Sequence, residues 1–326
     1  MSEELSQLLC TVAKNQQKFL DLGNYALQAL PKKVTEFAPC LEKLNLGQWY
    51  IDKQQWIKSP LRSSPNRFFN LKFIQQLTSL KEIYLCESKI ANIDLSNLTA
   101  LQEQNQSQHQ VSNLNLEALK QLEILFLNVD RMTNLTISNL PKLKILVLIA
   151  NDLTNIELVN LPQLDTMIIS TDQLTQANFC QLNQLKEFYL CANYLTNITF
   201  SQIVEAKQFY LKAKKISNLH LKECKNLEIL DLESSYATNV VFSHLPILQE
   251  ISLASQRVAN LSISQLPSLL SLNIENSQIT NLRLDSKEVE VAKRSKKIHK
   301  IVQQTQPKQR IGQLQPSQIP TSISST

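Results

Sequence analysis

Leucines spaced 21 residues apart run through most of this chain. Leu80, Leu101, Leu122, Leu143, Leu164, Leu185, Leu227, Leu248 and Leu269 keep the step, and Ala206 is the one break in ten units. Other columns hold the same register. Leu85, Leu127, Leu148, Ile169, Leu190, Leu211, Leu232, Leu253 and Ile274 form one, which only Gln106 interrupts. Ile93, Leu114, Leu135, Ile156, Ile198, Leu219, Val240, Leu261 and Leu282 form another, with Ala177 its weak member. A fixed period held without insertion across residues 80–285 is the signature of a solenoid, in which each unit buries its apolar face against its neighbours.

A half-period is nested inside each unit. Leu143-x-x-Leu146-x-Leu148 is followed by Leu153-x-x-Ile156-x-Leu158, and Leu161-Pro162-x-Leu164 closes the turn. The alternation in each half predicts a short, half-buried strand. Each coil therefore carries two strand segments joined by two turns. Coils stacked in parallel at ~4.8 Å would extend over roughly 45–50 Å.

These residues resemble the leucine-rich-repeat family. Leu185-x-x-Phe188-x-Leu190-x-x-Asn193-x-Leu195 fits its pattern directly. The nested unit is similar to the 21-residue bacterial-type subclass. The resemblance implies a mainly β solenoid of parallel strands that works by binding proteins. One departure is visible. The turn Asn is kept at Asn151 and Asn193 but not at His109, Asp130, Asp172, Lys214 or Ser235. A near-fixed Asn runs through the second half instead, as Asn92, Asn113, Asn134, Asn155, Asn197, Asn218, Asn239, Asn260 and Asn281. It reads either as a ladder of stacked amides or as a polar recognition strip.

The stack needs caps at both ends. Residues 1–79 read as an N-terminal cap with one irregular repeat. Leu5, Leu8, Leu9 and Val12 give a helical face, and a second helical stretch spans Tyr25–Leu30 before Pro31. Leu41-x-x-Leu44-x-Leu46 reads as an isolated first coil. Residues 47–67, with Trp49, Tyr50 and Trp56, read as an insertion bounded by Pro60 and Pro65. Residues 286–326 read as a basic helix followed by a disordered tail.

Chemistry is sparse. Only 3 glycines and no G-x-S-x-G motif occur, which excludes the familiar phosphate loops and nucleophile elbows. His109, His220, His244 and His299 fall at no metal-ligand spacing. Cys10, Cys40, Cys86, Cys180, Cys191 and Cys224 form no C-x-x-C pair, and Cys224 occupies a core column. An enzyme is not expected, nor is a cofactor. Met1-Ser2-Glu3-Glu4 lacks a basic leader, no apolar run approaches a membrane span, and the chain reads as cytoplasmic.

The informative contrast lies between the outward positions of the two strands. In the second strand they are polar: Asp94, Asn115, Thr136, Glu157, Asn178, Thr199, His220, Ser262 and Arg283 around Val241. In the first strand Tyr84, Phe126, Val147, Ile168, Tyr189 and Tyr210 give an apolar, aromatic stripe. Such patches mark interaction sites, and aromatics serve as anchors. These six are the expected partner-binding residues, with Glu187, Lys212 and Glu233 setting orientation. The partner is expected to be a protein. Cover by a loop, by the N-terminal cap or by a second copy of the chain is the competing reading. An anionic ligand, nucleic acid or membrane surface, bound through Lys287–Arg310, is the alternative function; the net charge of +5 is too mild to require it.

Overall fold

A computed structural model describes residues 3–284, apart from 54, 61–62, 69–70, 87–88, 91–93, 109–113, 130, 202, 223, 235, 255–256, 258 and 276–280. The basic segment beyond 286 and the calls on it lie outside the described residues. Contacts divide the chain into a first unit ending at Ala150 and a second beginning at Asn151. Both are built of parallel β-solenoid coils.

In the first unit, helix Glu3–Asn15 buries Leu5, Leu9 and Val12 on one face. Glu3 and Glu4 occupy its first turn and Lys14 its last, the arrangement the helix dipole favours. The predicted second helix is absent. Phe19–Asp21 is a strand instead, and the chain turns through Asn24 and Ala26 with φ of 58° and 54°. The turn is fixed from outside, because Asn24 Nδ2 donates to the carbonyls of Ser59 and Pro60, and Asn66 Oδ1 accepts from the Leu27 amide. The supposedly isolated coil is also part of the stack. Lys43–Asn45 pairs in parallel with Phe19–Asp21 on one side and Glu82–Tyr84 on the other.

From there the sheet continues through Glu103–Gln108, Ile124–Val129 and Ile145–Ile149, in the register Glu82↔Glu103↔Ile124↔Ile145. That step is 21 residues throughout. The step Lys43↔Glu82 is 39, and the surplus of 18 residues holds an antiparallel hairpin of Trp49–Asp52 and Gln55–Lys58. Leu20, Leu44, Ile83, Leu125 and Leu146 form the inner column, all fully buried, and Gln104 is buried among them.

In the second unit the first strands are Thr166–Thr171, Glu187–Ala192, Gln208–Lys212, Ile229–Glu233, Glu250–Ala254 and Ser271–Glu275, again one residue per 21 in register. The second segments pair as Asn155–Val159, Gln176–Cys180 and Asn197–Ser201, and as Asn218–Lys222, Asn239–Ser243, Asn260–Ser264 and Asn281–Leu284. Leu164, Met167, Ile169, Leu174, Ala177, Phe179 and Leu182 show the core of one coil, all buried. Burying a large apolar side chain is worth about 1.5–3 kcal/mol, so each coil supplies its own hydrophobic drive. Small residues in the leucine columns are offset nearby. Ala177 is followed by buried Phe179, and Ala206 by buried Phe209.

The Asn column is a ladder where its amides are placed. Asn239 Nδ2 donates to Asn218 Oδ1 at 2.8 Å, and Asn260 Nδ2 to Asn239 Oδ1 at 2.6 Å. The preceding hydroxyls reinforce it, as Thr196 Oγ1 donates to the Thr175 carbonyl at 3.0 Å and Thr238 Oγ1 to that of Ser217 at 3.2 Å. A second column holds left-handed residues in five coils: Asn139 in the first unit, and Asn160, Gln181, His244 and Gln265 in the second, with φ between 55° and 59°.

Candidate functional site

The outward residues of the first strands meet different fates in the two units. In the first unit Tyr84, Phe126 and Val147 are 0%, 6% and 5% exposed. The hairpin lies over this face, with the Trp56 ring edge-on to Phe126 at 6.1 Å between centroids. Its stem is tied down. Gln48 N donates to the Cys86 carbonyl at 2.7 Å, Ser59 N donates to that of Gln48 at 2.8 Å, and Ser59 Oγ lies 2.9 Å from both Asp21 carboxylate oxygens, donating its one hydrogen to the carboxylate. The insertion therefore lies against Phe126 and, through Lys43, beside Tyr84.

Beneath the hairpin lies a charged and aromatic cluster. Lys43 Nζ sits 5.5 Å from the centroid of Phe19, 5.9 Å from Tyr50 and 5.3 Å from Tyr84. It also donates to the Ile51 carbonyl of the hairpin and pairs with Glu82 at 3.0 Å. The Tyr84 hydroxyl lies 3.0 Å from Glu82 Oε2 and 2.9 Å from Glu103 Oε1. One phenol has one hydrogen to give, so both contacts are hydrogen bonds only when one of the two carboxyls carries a proton. The electrostatics agree. Burial pushes the Glu103 carboxyl up to about 7, with Glu82 adding to the rise and Tyr84 and Lys43 opposing it. Burial and the two carboxylates hold the Tyr84 phenol far above its ordinary value.

A glutamate in the unfolded chain keeps its ordinary pKa near 4.5. The folded state thus binds the Glu103 proton more tightly. Its stabilising contribution is complete below about 4.5 and is lost as pH rises through about 7. Glu103→Gln, which keeps the shape and supplies a donor, should match the parent in melting temperature at pH 5. At pH 8 it should exceed it, by on the order of 1–3 kcal/mol of stability. Parallel melting curves for the two proteins across that range would contradict the assignment.

In the second unit the same columns are not sealed. Ile168, Tyr189 and Tyr210 are half-buried on the outer surface. The two tyrosines sit on paired positions with ring centroids 6.2 Å apart, tilted by 32°. Tyr189 Oη donates to Gln208 Oε1 at 3.0 Å. Around them lie exposed Glu187 and half-buried Asp231 and Glu233, and the Glu233 carboxylate takes Lys212 Nζ at 2.7 Å. Cys191 stands in the same sheet, where burial pushes its thiol up, away from a reactive thiolate. None of the five described cysteines is in a disulfide. Among the described residues no three His, Cys, Asp or Glu side chains converge as a metal site would require, and no helix is long and apolar enough to cross a membrane.

Several residues carry no sequence flag yet shape these surfaces. Lys43, Glu82 and Glu103 read as ordinary solvent-facing charges; the one signal is that they occupy a single column of adjacent strands. Exposed Tyr194 and Tyr236 stand on the turn after the first strand, with Lys215 Nζ 4.0 Å and the Arg257 guanidinium 4.7 Å from their ring centroids.

No family model and no curated protein matches the chain. Solved structures do. An internalin from Listeria monocytogenes is 18% identical at a TM-score of 0.45, over 85% of this chain and 83% of that one. The leucine-rich-repeat domain of APL1B is 13% identical at 0.47, over 88% and 93%. A leucine-rich-repeat protein from Leptospira interrogans is 20% identical at 0.31, over 88% and 96%. At such identities the likeness concerns fold alone. The 21-residue register, the parallel first-strand sheet and the buried L-x-x-L-x-L columns make this chain a leucine-rich-repeat solenoid, of a coil length consistent with the bacterial-type subclass.

Proposed function

We propose that the chain is a binding scaffold for another protein and that it presents the outer face of the first strands in its second unit, centred on Ile168, Tyr189 and Tyr210. The observation that carries this reading is the contrast within one repeated column. In the first unit the chain lays its own hairpin against Phe126 and the cluster at Tyr84; in the second unit the tyrosine pair stays at the surface. Half-exposed, adjacent tyrosines supply large contact area with little side-chain entropy to lose, the usual make-up of a binding anchor. Tyr84, Phe126 and Val147 pack the hairpin in this reading and serve the partner only if the hairpin leaves. The reading is one of binding rather than catalysis, in a reducing compartment such as the cytoplasm, which suits cysteines outside disulfides.

The test is the double substitution Tyr189→Ala/Tyr210→Ala. Both side chains lie on the outer surface, so the array should stay folded, with unchanged circular dichroism. Affinity for a captured protein partner should fall about 100-fold, since anchor truncations cost about 2 kcal/mol or more each and do not add fully. Undiminished binding by the folded double variant would sink this placement.

A further inference from the structure

The outer face of the second unit carries a charge opposite to that of the whole chain. Along adjacent strands its described residues run Glu187, Tyr189 and Cys191; Gln208, Tyr210 and Lys212; Ile229, Asp231 and Glu233; Glu250, Ser252 and Ala254. Four carboxylates thus face one ammonium, and Lys212 is already engaged by Glu233 at 2.7 Å. The chain as a whole has a net charge of +5. Other bases lie on the turns, among them Lys214 after the strand, close enough to act on Cys191. Lys186 and Lys207 stand on the turn before the strands, paired with Asp165 at 3.9 Å and Glu228 at 3.7 Å. Lys215 and Arg257 stand on the turn after them, over Tyr194 and Tyr236. Burial raises the phenol pKa of both tyrosines on the face, and neighbouring acids raise it further: Glu187 for Tyr189, Asp231 and Glu233 for Tyr210.

Resting on the reading that this face binds a protein, we infer that its partner docks through an extended Lys/Arg-rich segment whose cationic side chains lie over Tyr189 and Tyr210 and between Glu187, Asp231 and Glu250. The geometry suits such a segment. Coils repeat every ~4.8 Å, and alternate side chains of an extended peptide every ~6.6 Å, so one cation on the tyrosine pair leaves the next within reach of a carboxylate one or two coils away. A cation over a tyrosine ring is also chemistry this unit already uses twice, in Lys215–Tyr194 and Arg257–Tyr236. Ring and carboxylate favour the same ligand, and arginine satisfies both.

The probe is a labelled peptide of alternating Arg and Ser, titrated into the full chain by fluorescence anisotropy, beside a peptide of alternating Glu and Ser. The Arg peptide should bind, weakening as salt is raised, and the Glu peptide should not. Glu187→Gln/Glu250→Gln, at two exposed positions, should weaken the Arg peptide about tenfold. Glu157→Gln, on the second-strand face, should leave it unchanged. Equal binding of both peptides, or an unaltered Glu187→Gln/Glu250→Gln variant, overturns the inference. If Tyr189→Ala/Tyr210→Ala still abolishes partner capture in that case, the docking face stands and only its basic selectivity falls. Binding that emerges only when Lys293, Arg294, Lys296 and Lys297 are changed to Gln also overturns it, since the occupant would then be the chain's own basic segment.

Discussion

Phe188→Ala should be the most damaging single change in the second unit, costing about 3–5 kcal/mol. Phe188 is fully buried, and its ring packs 4.6 Å from Phe209 and 5.6 Å from Phe179. It therefore joins the first-strand column of two coils to the second-strand column. Its own strand is pinned on both sides by parallel ladders to Met167 and Phe209. A hole there cannot close by backbone movement without breaking those ladders, so the cost stays near the top of the range for large-to-small changes. A solenoid coil is stabilised chiefly by its two neighbours, so the loss should appear as early unfolding of the second unit. Chemical denaturation should show a lower midpoint, and Phe188→Leu should recover most of it. A loss below about 1 kcal/mol would mean that the ring is not in the core.

Gly47→Ala should have the largest effect in the first unit. A Cβ on Gly47 would collide with the carbonyl oxygen and amide nitrogen of Cys86 in the next coil. A Cβ on Gly23 would meet the Gly47 carbonyl and the Ser59 hydroxyl in turn. Neither glycine has a positive φ, so the requirement is for space and not for an unusual backbone angle. The atoms nearest a Cβ on Gly47 are all backbone of the next coil, which leaves no flexible side chain there to yield. Overpacking of this kind costs about 1–3 kcal/mol or more. Relief should come by lifting the hairpin stem, since Gln48 and Ser59 are its anchors to the stack. Gly47→Ala should then show red-shifted tryptophan emission, as Trp56 leaves Phe126, and faster proteolysis near 49–58. Unchanged emission and stability would show that the coils are not in that close contact.

The solenoid could be read from sequence because every core column repeats at one period and each tells the same story. Leu164, Leu185, Leu227 and Leu248 are buried as their spacing requires. The hairpin was visible only as an interruption rich in aromatics. Where Trp56 lands is a long-range fact that no local pattern encodes, so Tyr84 and Phe126 looked identical in kind to Tyr189 and Tyr210. The helix expected at Tyr25–Leu30 failed for a related reason, since the carbonyls of Ser59 and Pro60 and the Asn66 side chain hold the chain there in a turn. The left-handed column at Asn139, Asn160, Gln181, His244 and Gln265 carried a partial signal, Asn before Leu-Pro, that glutamine and histidine obscure. Glu103 looked like any surface glutamate, because what raises its pKa is burial in the stack, which no local pattern encodes.

A photo-cross-linking amino acid placed at position 210, with a matched one at Ser262 on the second-strand face, tests the binding account most directly in living cells. Ser262 belongs to the same unit and is also half-buried. Illumination should join a protein to position 210 and leave position 262 unlabelled, with the adduct lost when Tyr189 is also changed to Ala. Adducts at 262 and none at 210, or adducts at 210 that survive Tyr189→Ala undiminished, would contradict a scaffold that binds through its first-strand face.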